Sequence, residues 1–344
     1  MKIAVFFGGT SEERDVSIAS GSQIVRALRE KGHCVAAVDT ARGVLSLSQE
    51  RELLHSGVKK TPPKVGRAVS ASLHPAALLG SPEIVNVDIV FLALHGGSGE
   101  NGMMQGFLDF MEIPYTGSCH QGSANAMDKD VSKRLFRLAG VPTPKWMMLP
   151  ADEAAIRREI GFPVVIKANK QGSTVGLTVA KRAADVGAAV ETAFLHDNEA
   201  MAERFVPGRE LTVGILDDRA LAVGEIVPKC SSIFDYESKY QIGGAEETFP
   251  ADLGEEQTKE VRTLALRAHR ALKLKGYSRI DFRLDDEGKL WCLEANTLPG
   301  MTATSLLPQS AAAEGLPFPD LCERICELGV RRFRKGSGAV FGRK

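Results

Sequence analysis

Short apolar runs alternate with amphipathic stretches from the first residues onward. Ile3–Phe7 is continuously apolar and stops at Gly8-Gly9, which predicts a buried strand running into a tight turn. A helical pattern follows, with Ser17 as its expected N-cap and Gly32 as its C-terminal stop. Cys34–Asp39 and Ile89–Leu94 read as further buried strands, Met103–Met111 as a helix and Pro114–Thr116 as a short strand. Strands alternating with helices imply a parallel sheet with right-handed crossovers. Residues 42–83 interrupt this rhythm; they are weakly patterned, contain Pro62-Pro63, and read as an insertion.

The pattern changes near Asp128. A basic helix, Asp128–Ala139, ends at Gly140, and Pro142 and Pro144 mark a linker into Lys145–Leu149. A second α/β unit follows: strand Phe162–Ala168, a glycine-bearing loop, strand Leu177–Ala180 and helix Ala183–Leu195. Glu210–Leu216 and Ala220–Val227 alternate like antiparallel strands joined at Asp217-Asp218. Pro228–Pro250 is expected to be a long polar loop, a length usually reserved for function. Glu255–Leu272 is an amphipathic helix. Ser278–Leu284 and Lys289–Glu294 form a hairpin, and helices near Thr304–Ala313 and Phe318–Phe333 complete the pattern, with a glycine-rich tail from Lys335.

Composition narrows the function classes. The chain has 344 residues, 44% hydrophobic and 25% charged, which is ordinary for a globular protein. Lys+Arg and Asp+Glu are both 43, so no overall positive field exists to hold nucleic acid or an anionic membrane. No apolar run approaches the ~18 residues of a membrane span, and the N-terminus lacks the pattern of a signal peptide. The six cysteines are scattered without a Cys-x-x-Cys, which suits free thiols in a reducing cytoplasm.

Several motifs carry chemistry. Gly97, Gly99 and Gly102 match a dinucleotide-binding spacing. They follow the third strand, however, and no acid stands in Thr116–Ser123 where a ribose partner belongs, so a nicotinamide site is disfavoured. In the hairpin, Arg279 and Asp281 share one face of their strand, and Glu294 and Asn296 one face of theirs. Pairing can gather all four. Asp, Glu and Asn are hard oxygen ligands suited to Mg²⁺ bridging phosphates, although Arg279 and Asp281 alone would read as a structural ion pair. Lys167 ends an apolar strand, and the loop Asn169–Gly176 after it offers N–H donors and hydroxyls that can cradle phosphate; an ordinary hairpin loop is the competing reading. Lys129 opens a helix, where the macrodipole disfavours a cation; an anionic partner nearby is one reading, and simple solvation of the lysine is the commoner one. Glu13, after the first strand, stands where a parallel sheet presents its ligand crevice and can meet an ammonium group.

Taken together, Gly8–Arg14, Ala93–Gly96 with Gly99–Gly102, Met127–Lys129, Gly172–Gly176, Phe234–Tyr240 and Glu294–Thr297 through Ser305 resemble the ATP-grasp superfamily and, within it, the D-alanine–D-alanine ligases. The resemblance runs in family order from residue 3 to about 310. Residues 42–83 match no family motif, the tail is extra, and Ala168 stands where many members have proline.

The resemblance implies an α/β fold of three subdomains: an N-terminal parallel-sheet domain (1–127), a central ATP-grasp unit (128–206) and a C-terminal one (207–334), with 335–344 as a tail. It implies ATP-dependent ligation of two D-alanines through an acyl phosphate, for peptidoglycan precursors, in a cytoplasmic homodimer. Lys129, Lys167 and Lys239 would touch ATP phosphates; Glu203, Phe205 and Val206 would hold the adenine and Glu210 the ribose. Asp281, Glu294 and Asn296 would bind two Mg²⁺ or Mn²⁺. Glu13 would take the first ammonium and form a triad with Ser173 and Tyr240, with His95 nearby. Arg279 and the Gly300 N–H would form the oxyanion site, and Ser305 with Leu306 would meet the second substrate. The Pro228–Pro250 segment would be a lid. The alternatives are D-lactate or D-serine as second substrate, which the tethered Tyr240 hydroxyl disfavours by analogy, or a non-catalytic amino-acid sensor.

Overall fold

The structure, a computed structural model, describes residues 1–53, 80–229 and 244–337. The middle of the expected insertion, the segment carrying Lys239 and Tyr240, and the end of the tail lie outside the described residues.

Among the described residues, three sheets order the chain. The first runs β3–β2–β1–β4, from β1 (Lys2–Phe7), β2 (Cys34–Asp39), β3 (Gly43–Val44) and β4 (Ile89–Leu92). β1 is parallel to both β2 and β4, as the strand–helix rhythm predicts, while β3 pairs antiparallel at the edge. β1 and β4 are buried almost throughout, which is why they are apolar runs and not alternations. Helix Arg14–Glu30 lies against β1 so closely that a Cβ at Gly21 would overlap the Phe7 ring.

Two expectations in this region are corrected. The helix begins at Arg14, so Ser17 is not its N-cap. Buried Ser17 instead accepts the Gly8 N–H (2.8 Å) and donates to the Ala93 carbonyl (2.7 Å), tying the ends of β1 and β4 together. The expected strand at Pro114–Thr116 is a single bridge between Tyr115 and Val90.

The second sheet runs β5–β8–β6–β7, from β5 (Trp146–Met148), β6 (Val164–Ala168), β7 (Thr178–Ala180) and β8 (Ala200–Arg204), with every pair antiparallel. β8 was not foreseen, because Ala200–Arg204 carries little β-branched or aromatic signal. Asp128 caps the helix Lys129–Leu138 by accepting the Val131 N–H at 3.0 Å.

The third sheet runs β11–β10–β9–β12–β13, from β9 (Arg209–Leu216), β10 (Arg219–Pro228), β11 (Ala245–Thr248), β12 (Tyr277–Leu284) and β13 (Leu290–Asn296). β11 corrects the expectation that Pro228–Pro250 is all loop, because Glu225–Pro228 pairs with Ala245–Thr248. Helix Glu255–Ala271 covers one face with Val261, Leu264, Ala265 and Ala268. The other face carries Glu210, Thr212, Asp281, Arg283 and Glu294, and it looks across a cleft to the second sheet. Among the described residues no helix is long and apolar enough to cross a membrane.

Candidate active site

The cleft is lined from the second-sheet side by Lys129, Lys167, Gln171, Glu203, Phe205 and Val206. From the third-sheet side it is lined by Glu210, Arg279, Asp281, Arg283, Glu294 and Leu306. Strand register does the gathering. Asp281 lies directly opposite Glu294, and Arg279 opposite Asn296, so the four residues form one patch as their spacing anticipates. Gly214 and Thr212 of β9 sit on the other side of Arg279 and Asp281, and a Cβ at Gly214 would meet Leu307 and Ser310.

Asp281 is the hub. Its Oδ2 is 2.8 Å from the Arg279 guanidinium and accepts Asn296 Nδ2 at 2.9 Å, and its Oδ1 accepts Thr212 Oγ1 at 2.7 Å. Glu294 Oε2 is 3.3 Å from Lys129 Nζ. Because Asn296 spends its amide nitrogen on Asp281, its oxygen is the atom left to meet a cation. Two carboxylates and an amide oxygen form a hard donor set, which fits Mg²⁺ or Mn²⁺ and not a thiophilic metal. Among the described residues no group of three or more His, Cys, Asp or Glu is arranged to hold a metal by itself, so such a cation would draw further oxygens from a bound phosphate or water.

Lys129 and Lys167 stand on the helix and strand that the sequence indicates. Lys129 is the first residue of its helix, where it donates to the Gln171 carbonyl at 2.6 Å. Lys167 lies near the end of β6, 2.7 Å from Glu203 Oε1. A second, unforeseen lysine, Lys133, reaches Glu203 Oε2 at 2.6 Å. Burial works against a charged Glu203, but the two lysines prevail and hold its carboxyl below the usual range. Burial pushes Lys133 down to about 8 against the pull of Glu203. Arg283 holds Glu210 at 3.1 Å on the cleft wall.

A second group lies where the first sheet meets this cleft. Ser173, at positive φ, donates to Glu13 Oε1. Glu13 is buried and closely approached, since a Cβ at Gly96 would sit 2.7 Å from its Oε2. His95 is buried beside it, and burial holds its pKa down, so the ring is neutral near pH 7. Glu100 accepts the Gly96 N–H at 3.1 Å; burial and the Glu13 charge push its carboxyl up to about 7. Ser305 stands just before the helix Leu306–Ala312 at its N-cap position, and its Oγ lies 2.7 Å from Thr302 Oγ1 and accepts the Thr302 N–H at 3.1 Å. Gly300 stands on the loop between, where a Cβ would meet Ser305 Oγ at 3.0 Å. Lys239 and Tyr240 lie outside the described residues, so only the Glu13–Ser173 contact of the expected triad is seen.

Thr212, Lys133 and Glu100 escaped the sequence reading. Lys133 had one available signal, its position one helical turn from Lys129. Glu100 had its place in the glycine turn beside His95.

Comparison with known proteins shows the family and the fold. Family models described as D-ala D-ala ligase N-terminus and C-terminus match residues 2–118 and 135–327. A D-alanine–D-alanine ligase of Acidiphilium cryptum is 41% identical over 332 residues, spanning 96% of this chain and 99% of that protein. One from Nitratidesulfovibrio vulgaris is 42% identical over 331 residues, spanning 96% and 98%. Among solved structures, the Bacillus anthracis D-alanine–D-alanine ligase complexed with ATP superimposes with a TM-score of 0.76 at 29% identity, covering 98% of this chain and 99% of that one. The Coxiella burnetii enzyme gives 0.78 at 27% identity, covering 98% and 96%. The expected α/β ATP-grasp architecture is thereby confirmed.

Proposed function

Because the chain belongs to the D-alanine–D-alanine ligase family, we propose that its cleft uses ATP to activate one D-alanine and joins it to a second, giving D-alanyl-D-alanine. The observation that carries the residue assignment is the register of β12 and β13. It sets Asp281 against Glu294 and Arg279 against Asn296 on the wall that faces Lys129 and Lys167.

A carboxylate is a poor acyl donor. In the first step a carboxylate oxygen of D-alanine attacks the γ-phosphorus, and the bond to the ADP oxygen breaks. Charge neutralisation and in-line positioning matter most in such a transfer. Lys129, Lys167 and Lys239 are assigned to the phosphates, Glu203, Phe205 and Val206 to the adenine, and Glu210 to the ribose. Asp281, Glu294 and Asn296 are assigned to two Mg²⁺ or Mn²⁺, which when bound would neutralise the triphosphate and orient its terminal group. Glu13, backed by Ser173 and Tyr240, holds the first ammonium beside His95. In the second step the amine of the other D-alanine attacks the acyl carbon, phosphate leaves and the amine loses a proton. Arg279 and the Gly300 N–H stabilise the tetrahedral oxyanion, and Ser305 and Leu306 seat the second substrate.

The cleft is read as lying between units 128–206 and 207–334, with 1–127 contributing the first-substrate side. The five described cysteines are free thiols, which supports a reducing cytoplasmic setting for this step of peptidoglycan precursor synthesis. A homodimer is the assembly we assign.

The test is mass spectrometry of products from a pool of D- and L-amino acids with ATP and Mg²⁺. The expected product is D-alanyl-D-alanine, formed with one phosphate per dipeptide and abolished by omitting D-alanine. Glu294→Gln should lower kcat by roughly 100-fold or more through loss of a metal ligand. Phosphate release without any new dipeptide, or a D-alanyl ester formed in preference when D-lactate is present, would overturn the assignment.

A further inference from the structure

The loop from Thr297 to Ala303 follows β13 and carries Gly300, the assigned oxyanion donor. Side chains from the first-sheet side grip it at four points. His95 Nδ1 is 2.9 Å from the Leu298 carbonyl, while the Leu298 N–H donates to Glu100 Oε1 at 3.4 Å. The Met301 N–H donates to Ser20 Oγ at 3.2 Å, and the Ala303 N–H to Gln23 Oε1 at 2.6 Å.

Proton positions follow from these partners. A carbonyl only accepts, so Nδ1 of His95 carries the proton. Nε2 of a neutral ring is then an acceptor, and Ser20 Oγ, 3.0 Å away, donates to it. Ser20 thus gives its proton to His95 and a lone pair to Met301. The chain Leu298–His95–Ser20–Met301 closes a ring of hydrogen bonds with Gly300 inside it. Ser20 is 0% exposed and His95 5%, so water does not compete for these bonds. The gripping groups are themselves fixed: Ser11 Oγ donates to the His95 carbonyl at 2.6 Å, and the second oxygen of Glu100 accepts from Gly96. Neither Ser20 nor Glu100 lines the nucleotide cleft.

We propose that Ser20 and Glu100 are positioning residues for acyl transfer, holding the peptides on both sides of Gly300: Ser20 through His95 and Met301, Glu100 through Leu298. This deepens the ligase reading and rests on it. Oxyanion stabilisation depends on donors fixed before the charge develops. The first sheet, which holds the first substrate, also sets the backbone that meets its activated carboxyl. The two halves of the site are locked in register by side-chain bonds to the loop's main chain, beside the apolar packing of Leu298 and Met301 in the shared core.

Ser20→Ala removes one hydroxyl and both of its bonds, and Glu100→Gln leaves one amide without its carboxylate acceptor. The expected result for each is a kcat lowered roughly 10- to 100-fold with KM for ATP changed by less than about twofold, because a donor is displaced while the nucleotide cleft is untouched. Phosphate released per dipeptide should rise above that of the parent as the acyl phosphate is lost to water. Hydrogen exchange at the Met301 amide should quicken in Ser20→Ala, and in Glu100→Gln at whichever of the Leu298 and Gly96 amides faces the new side-chain NH2. A variant that melts lower yet keeps the parent's kcat, phosphate-to-dipeptide ratio and exchange rates would overturn the proposal, leaving the clamp merely structural. A parent protein that makes no dipeptide would instead overturn the ligase reading, and the exchange measurement would still decide whether the clamp exists.

Discussion

At the scale of single residues, the decisive feature is a buried corner with surplus positive charge. Glu203 is 3% exposed, Lys133 0% and Lys167 6%, so one carboxylate faces two ammonium groups out of water. Lys133 is further held by Thr143 Oγ1 at 2.5 Å and the Pro144 carbonyl at 3.3 Å. A buried excess cation is costly in isolation, and an anionic ligand in the adjoining cleft offsets that cost. Lys133→Met removes the excess together with one partner of Glu203. Unfolding in urea should show a loss of about 2 kcal/mol, below the usual figure for breaking a buried pair because Lys167 stays with Glu203. ATP affinity should fall as well, read by equilibrium binding; unchanged affinity and an unchanged midpoint would refute this account. The sequence announces Asp281, Glu294 and Arg279 because their types recur at strand spacing around a turn. Lys133 is hidden, since a lysine on a basic helix is ordinarily solvated and its partner lies 70 positions away in Glu203. Glu100 is hidden likewise, because its bonds go to backbone that residue types cannot disclose.

Elements show a similar division. The buried strands β1, β4 and β6 are legible because continuous apolar runs bounded by glycine or proline have few other uses. The strands β8 and β11 are not, because their pairing comes from neighbours and not from their own composition: β11 is Ala-Glu-Glu-Thr. Helix Glu255–Ala271 illustrates a lock between elements that titrates. His269 stands in its last turn, is 2% exposed, and lies with Nδ1 2.8 Å from Ser278 Oγ of β12. A helix C-terminus favours a cation, and Asp218 pulls the same way, but burial outweighs both, with Lys275 and Arg270 adding to it, and the pKa falls from 6.5 to about 4. Between those values the unfolded chain binds the proton and the folded one does not. Stability is therefore intact above about pH 6.5 and is lost as pH falls toward 4, by up to about 3 kcal/mol from this group. Urea titrations at pH 7, 6 and 5 should show a shallower decline for His269→Gln than for the parent. Equal slopes would place the acid sensitivity elsewhere.

Across the whole molecule, the cores divide differently from the sheets. One core joins the first sheet to the far end of the third, through Leu216, Tyr277, Leu298 and Met301, and to the C-terminal helix through Leu321 and Ile325. A second lies under the third sheet and takes in Phe136 and Val141, which precede the second sheet in the chain. The second sheet has its own small core of Val164, Ile166, Ala200, Ala202 and the helix beside them. The family resemblance suggests cuts near 127 and 206, the first marked by a change of pattern near Asp128, but chain order cannot show which side chains cross them. First and third sheets therefore share buried apolar surface, while the second packs largely on itself. Regions with fewer buried contacts open at lower free energy. Nucleotide held in the cleft as proposed would touch second and third sheets together, so it should tie the loosest unit to the firmest. At ATP 100-fold above its dissociation constant the bound state gains about 2.7 kcal/mol. Hydrogen exchange of the ligand-free protein should be faster in residues 146–204 than in β9 and β12, and Mg²⁺-ATP should slow it chiefly there. Uniform exchange across the three sheets, or protection confined to the first, would contradict this division of the fold.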